Sequence, residues 1–236
     1  MSSTLRTILD KIASTSQRHG TNGAVRLVAV SKTKPPELIR AAYDAGQQHF
    51  GENYVQELVE KANHPLLCDL DIRWHFVGHL QRNKAKLLAS VPHLWMVETI
   101  DTPKLATSLN SSWSNLALPQ KLKVMVQVNT SGEESKHGCP PEGTVELTNH
   151  ILQSCPQLDF TGLMTIGRLS HDYSQGPNPD FELMHQLKLK IVDQLGLLEE
   201  KVELSMGMSA DFEEAIAAGS TNVRVGSTIF GTRTYN

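Results

Sequence analysis

The sequence predicts a (β/α)8 barrel of the TIM type, and three observations carry that prediction. Short apolar runs of strand character recur eight times within 236 residues. The stretches between them show apolar residues at helical spacing. No shift in composition divides the chain, so a single domain over residues 1–236 is expected. Strands alternating with helices imply a parallel sheet, and eight such units suit a closed barrel slightly smaller than the usual ~250 residues. A doubly wound open sheet is the alternative, because eight parallel strands can also stay open.

The elements follow in order. Thr4 to Arg18 forms an opening helix, and the first strand spans Arg26–Ser31 before Pro35-Pro36 stops it. A second strand covers Gln48–Gly51. Beyond it Val55, Leu58, Val59 and Ala62 share one helix face, and Asn53 with Gln56 three residues on resembles a capping box. Strands three and four are Arg73–Gly78 and Leu94–Thr99, with Arg82, Lys84 and Lys86 between them as a solvated helix face. Lys123–Asn129, Asp159–Thr165, Val202–Met206 and Asn222–Gly226 complete the set. Phe212, Ala215, Ile216 and Gly219 repeat the helical spacing after Ser209, a candidate N-cap. Gly132 to Gly143 is a long loop, and Arg168 to Pro179 is a second one, crowded with turn residues. The second is a lid or a solvated loop on the barrel face where active sites sit.

Composition excludes several classes. Hydrophobic content of 39% with 20% charged residues fits a soluble globular protein. A net charge of −3 without clustered basic residues provides no footprint for nucleic acid. No apolar run approaches the roughly 20 residues that span a bilayer. Arg6, Lys11 and Arg18 are interrupted by Asp10 and precede no apolar signal core. Cys68, Cys139 and Cys155 form neither a disulfide framework nor a zinc motif, so a reducing, cytoplasmic setting is expected. His75 and His79 fall on a strand and the turn after it, which does not make a metal site. Neither a Gly-x-Ser-x-Gly elbow nor a Walker loop is present.

Chemistry concentrates at predicted strand ends. Period-two geometry puts Val28, Val30 and Lys32 on one face, so Lys32 emerges at the carboxyl end of strand one. Partial desolvation there would lower its pKa and free the nitrogen to attack an aldehyde. Lys34 is the rival, better hydrated beside Pro35. Ser205-Met-Gly-Met-Ser209 is either a plain turn capped by Ser209 or a small-residue phosphate cradle. Gly226-Ser227-Thr228 after strand eight favours the cradle, since loops after strands seven and eight commonly hold phosphate in barrels. Arg224 shares a strand face with Asn222 and Gly226. It is either a carboxylate partner at the barrel mouth or a contact to a pyridine nitrogen, where a permanent cation makes the ring a weaker electron sink. Amine, arginine and anion cradles together suggest pyridoxal 5′-phosphate held as a Schiff base. His75 is structural or a cofactor contact, Asn53 a cap or a ligand contact, and Met164 core or packed beneath a ring.

Leu27-Val-Ala-Val-Ser-Lys-Thr-Lys-Pro35, Phe50-Gly-Glu-Asn-Tyr54, Trp74-His-Phe-Val-Gly-His-Leu-Gln81, Gly162-Leu-Met-Thr165, Leu204-Ser-Met-Gly-Met-Ser209 and Arg224-Val-Gly226 occur in that order. With them the chain resembles the family of pyridoxal phosphate homeostasis proteins, formerly called proline synthetase co-transcribed proteins, over nearly its whole length. The resemblance implies a modified (β/α)8 barrel like the alanine racemase N-terminal domain. It implies Lys32 as the Schiff-base lysine, phosphate contacts from Ser209, Gly226 and Ser227, and a pyridine-nitrogen contact from Arg224. Asn53 and His75 match family positions near the cofactor, and Ser205 belongs to the matching Ser205–Ser209 stretch. Ser227 stands where many relatives have threonine.

The expected function is homeostasis of vitamin B6 cofactor without catalytic turnover, by a monomer that buffers pyridoxal phosphate or delivers it to apo-enzymes. A racemase needs acid/base groups on both faces of its substrate, and no room for a second domain to supply one is expected after strand eight. Two alternatives are a pyridoxal-phosphate-dependent racemase or decarboxylase completed by a partner chain, and a lyase using Lys32 on a sugar-phosphate carbonyl.

Overall fold

The computed structural model describes residues 2–21, 25–168 and 171–231. Helix α1 (Ser2–His19) leads into β1 (Arg26–Val30), α2 (Pro36–Asp44), β2 (His49–Glu52), α3 (Val55–Ala62) and β3 (Arg73–Phe76). There follow α4 (Ala85–Ala89), β4 (Leu94–Ile100), α5 (Pro103–Ser114), β5 (Leu122–Gln127), α6 (Thr144–Ser154) and β6 (Leu158–Met164). The last elements are α7 (Pro179–Leu195), β7 (Glu203–Ser205), α8 (Phe212–Ala217), β8 (Asn222–Val225) and α9 (Ser227–Phe230).

The strands close in chain order into a parallel barrel. β1 pairs with β2 on one side and with β8 on the other, matching Arg26 to Asn222 and Val28 to Arg224. That double pairing rules out the open sheet. Several strands stop one or two residues before their expected carboxyl ends, β1 at Val30, β3 at Phe76 and β5 at Gln127. There the backbone leaves the ladder to form the barrel mouth.

Period-two alternation sorts the side chains. Leu27, Ala29, Trp74, Phe76, Val223 and Val225 face the helices and join the main apolar core with Leu58, Leu109, Ile151 and Ile216. Burying each large apolar side chain contributes about 1.5–3 kcal/mol. A second apolar cluster, Val77, Met96, Met125 and Met164, is separate from it. Polar residues share the barrel interior, and His75, Glu98, Ser205, Asn222 and Arg224 are all buried.

Both long loops are partly ordered by hydrogen bonds. In the first, Cys139 N–H donates to the Gln127 carbonyl at 2.8 Å, folding residues 132–143 back onto β5. In the second, Asp180 accepts from the Arg168 backbone at 2.7 Å and from its guanidinium at 3.0 Å. Leu169 and Ser170 of that expected lid lie outside the described residues. All three cysteines are free. Among the described residues no helix is long and apolar enough to cross a membrane. Nor do they contain a group of three or more His, Cys, Asp or Glu that could hold a metal.

Candidate functional site

A cavity of about 410 Å³ opens at the carboxyl ends of the strands. Its lining includes Lys32, Lys34, Asn53, Ser209, Arg224, Gly226 and Ser227, with an apolar wall of Val30, Val77, Met164, Ile166 and Met208. Six of the sequence-predicted residues therefore meet in one place, together with the rival lysine and Met164.

Lys32 sits in a tight turn, closed by a 3.0 Å bond from Lys34 N–H to the Ser31 carbonyl. Thr33, third in the turn, has φ of +62°. Turns of this kind favour glycine at that position. For a β-branched residue the left-handed backbone costs roughly 1–3 kcal/mol and persists only where surroundings over-determine it. Pro35 then caps α2, with Pro36 in its first turn.

The two small-residue turns touch each other. Gly226 N–H donates to Ser209 Oγ at 3.3 Å, so the hydroxyl bridges the loops after β7 and β8. Ser209 is not the cap of α8, as the helical spacing suggested; Asp211 takes that position. Gly207 at φ +94° starts an intervening turn, which Met208 N–H closes onto Asp211 Oδ1 at 2.7 Å. Asp211 also lines the cavity. Burial raises its pKa against the pull of that backbone bond and the Arg224 charge.

Asn53 is likewise no helix cap. Tyr54 precedes α3 at the N-cap without a side-chain cap bond, and Gln56 Nε2 donates to Glu60 at 3.2 Å instead. Gly78 explains where Asn53 sits: a Cβ there would lie 1.9 Å from the Asn53 carbonyl oxygen. Only glycine permits that backbone approach.

His75 and Ser205 lie below the cavity and are not among its lining residues. Both are fully buried, at 0% exposure, because each occupies an inward position deeper in its strand than Val77 or Met208. They converge on Glu98. His75 Nδ1 bonds Glu98 Oε1 at 2.6 Å, and Ser205 Oγ donates to Glu98 Oε2 at 2.5 Å. Asn222 Nδ2 donates to both carboxylate oxygens at 3.2 Å. Arg224 Nη1 donates to Ser205 Oγ and its Nη2 to the Thr165 carbonyl, each at 2.7 Å. Toward the other end of the barrel, His49 Nδ1 meets His75 Nε2 at 2.8 Å.

The electrostatics fit these bonds. Burial pushes the Glu98 carboxyl up, but bonds and charge from His75, the Arg224 charge and Ser205 outweigh it and hold it below its ordinary value. Burial lowers His75 despite Glu98, and burial with the His75, Arg26 and Arg73 charges lowers His49 to about 3. The two imidazoles thus form a hydrogen-bonded chain to one carboxylate, which also balances the buried Arg224 guanidinium.

Three charged residues escaped the sequence reading. Glu98 lies in Leu94-Trp-Met-Val-Glu-Thr-Ile100, whose residues are buried but for Trp95. An acid inside so apolar a strand was the available signal, because an uncompensated buried charge is prohibitive. Glu52, next to Asn53, is fully buried and reads the same way. Lys61 gave no signal: it falls beside a sound apolar helix face yet turns inward, 5% exposed.

An eight-stranded parallel barrel with an amine, a guanidinium and paired small-residue turns at its mouth defines the class. Residues 4–234 match the family model described as alanine racemase, N-terminal domain. The chain is 57% identical over 213 residues to the human pyridoxal phosphate homeostasis protein, covering 89% of this chain and 78% of that one. It is 47% identical over 231 residues to the Schizosaccharomyces pombe protein of the same name, covering 98% and 94%. Among solved structures, PipY of Synechococcus elongatus with PLP bound superposes with a TM-score of 0.78 at 33% identity, covering 95% of this chain and all of that one. An alanine racemase of Clostridium difficile shares the fold, with a TM-score of 0.71 at 15% identity over 99% of this chain and 58% of that one. The chain belongs to the family of pyridoxal phosphate homeostasis proteins.

Proposed function

We propose that this chain binds pyridoxal 5′-phosphate at the barrel mouth and serves intracellular homeostasis of that cofactor, holding and releasing it without turning over a substrate. The observation that carries this reading is the single cavity lined by Lys32, Arg224, Ser209, Gly226 and Ser227. Its donor set suits the cofactor. Ser227 and Thr228 open α9, so their N–H groups have no acceptor inside that helix and suit an anion. Val77, Met164, Ile166 and Met208 supply an apolar wall for a flat ring. The relatives' names, and the PipY structure with PLP bound, support the same ligand.

When bound, the cofactor supplies an aldehyde that condenses reversibly with a primary amine. Lys32 provides that amine. Ser209, Gly226 and Ser227 would hold the phosphate, Arg224 would stand beside the ring nitrogen, and Asn53 would border the ring. His75 and Ser205 act at one remove, through Glu98 and Arg224. Racemisation requires acid/base groups on both faces of a substrate. Among the described residues the ionisable lining is Lys32, Lys34, Asp211 and Arg224, and Asp211 is committed to Met208 N–H. That set favours holding and release over turnover; we infer that the chain acts as a cytoplasmic monomer with apo-enzymes as recipients.

Borohydride reduction of the loaded protein followed by peptide mapping tests the reading. The adduct is expected on Lys32; an adduct on Lys34, or none at saturating cofactor, overturns the assignment. Sustained turnover across an amino-acid panel would replace the carrier with an enzyme. A transfer assay to a defined apo-enzyme, against free cofactor at equal concentration, separates delivery from storage.

A further inference from the structure

We propose that Lys61 and Glu57 are positioning residues that clamp the two peptide groups flanking Lys32 and so aim its amine into the cavity. This rests on the reading that Lys32 is the cofactor-bearing amine. The geometry is specific to that residue. Lys61 Nζ donates at 2.7 Å to the Ser31 carbonyl, part of the peptide preceding Lys32. Thr33 N–H, part of the peptide following it, donates at 2.6 Å to Glu57 Oε1. Lys61 and Glu57 are themselves joined at 2.7 Å, four residues apart on α3. Both peptide planes around the Lys32 Cα are thereby tied to one ion pair on a neighbouring helix.

Three further observations support the clamp. An ammonium has three donors, and Lys61 spends all of them here, the third on Glu52 Oε1 at 2.7 Å. Glu52 in turn accepts from Ser31 Oγ at 2.6 Å, so the same turn is held a third time. Burying a lysine is unfavourable unless it is paired and hydrogen-bonded, and Lys61 is buried, at 5% exposure, with these three bonds. Thr33 is held in a left-handed conformation that a β-branched residue does not keep unaided. Fixing Lys32's backbone in advance removes an ordering cost that binding would otherwise bear.

The test combines two readouts on the full chain. In cofactor-free protein, reductive methylation with mass mapping measures the labelling ratio of Lys32 to Lys34. In loaded protein, absorbance and dissociation rate measure retention of pyridoxal phosphate. Lys61→Met is expected to change the ratio, shift the absorbance band and speed dissociation by about tenfold, with Lys61→Arg restoring part of each. A lowered melting temperature with ratio, spectrum and dissociation rate unchanged would show Lys61 to be merely structural and overturn the proposal. Should Lys61→Met not fold, Glu57→Ala carries the test, since the Glu57 side chain is 22% exposed. The same two outcomes then decide. Wild-type protein that forms no adduct on Lys32 overturns the functional reading instead, while the cofactor-free ratio still judges the clamp.

Discussion

Arg224 and Glu98 are joined through one oxygen: Ser205 Oγ accepts from Arg224 Nη1 at 2.7 Å and donates to Glu98 Oε2 at 2.5 Å. The guanidinium at the cavity thus has its counter-charge inside the barrel. Replacing Glu98 by Gln preserves the shape but strands a buried cation, which costs about 3–5 kcal/mol. Urea unfolding at neutral pH checks this, and a variant as stable as wild type would refute it. Glu98 is held below its ordinary carboxylate value, so its contribution is present above the unfolded pKa and lost as pH falls through the folded one. The gap between wild type and variant should therefore narrow in acid.

Glu52 has the opposite sign. Burial raises its carboxyl from 4.5 to about 7, against the Lys61 charge and the bonds from Lys61 and Ser31. A group whose folded pKa exceeds its unfolded value adds stability below the unfolded value and loses it as pH rises through the folded one. Between pH ~4.5 and ~7, wild type should lose stability relative to Glu52→Gln, on the order of 1.4 kcal/mol for each pH step of one between those two values. Paired unfolding curves across that window decide the point; a gap that stays flat or widens the other way would contradict it.

The fold was legible because it is repetitive. Val28 and Val30, or Trp74 and Phe76, announce strands by period-two alternation, and Leu58 with Ala62 announces a helix by its spacing. The cavity was legible in part for the same reason, since strand ends in a barrel converge. What stayed hidden depends on contacts between distant segments. Gly78 against Asn53, Ser209 against Gly226 and Lys61 against Ser31 are set by strand register and leave no local pattern. Ser209 and Asn53 look like caps because short polar residues before apolar helices usually are, and here tertiary packing recruits them elsewhere. His75 and Ser205 point into the barrel but lie one layer below the cavity lining. Alternation fixes direction without fixing depth.

Lys32 is partly exposed in a turn whose backbone is held by other side chains. Lys32→Ala should therefore fold normally, with stability within about 0.5 kcal/mol of wild type, and lose the reducible pyridoxal phosphate adduct. Thermal melting and intact mass after borohydride treatment measure both. A persisting adduct of unchanged mass would move the chemistry to Lys34.

Gly78 connects packing to the site directly. An added Cβ would lie 1.9 Å from the Asn53 carbonyl oxygen, 2.6 Å from its carbonyl carbon and 2.7 Å from its Cα. These are backbone atoms, so no rotamer change relieves the clash and one strand end must shift. Asn53 and Val77 both line the cavity, so the shift would be felt there. Gly78→Ala should cost about 1–3 kcal/mol, the range for overpacking a tight site, and weaken pyridoxal phosphate retention although no cavity-lining residue is replaced. Denaturant unfolding and cofactor dissociation, measured on the same preparation, test the coupling. Lost stability with unchanged dissociation would show that the approach of Gly78 to Asn53 serves the barrel alone.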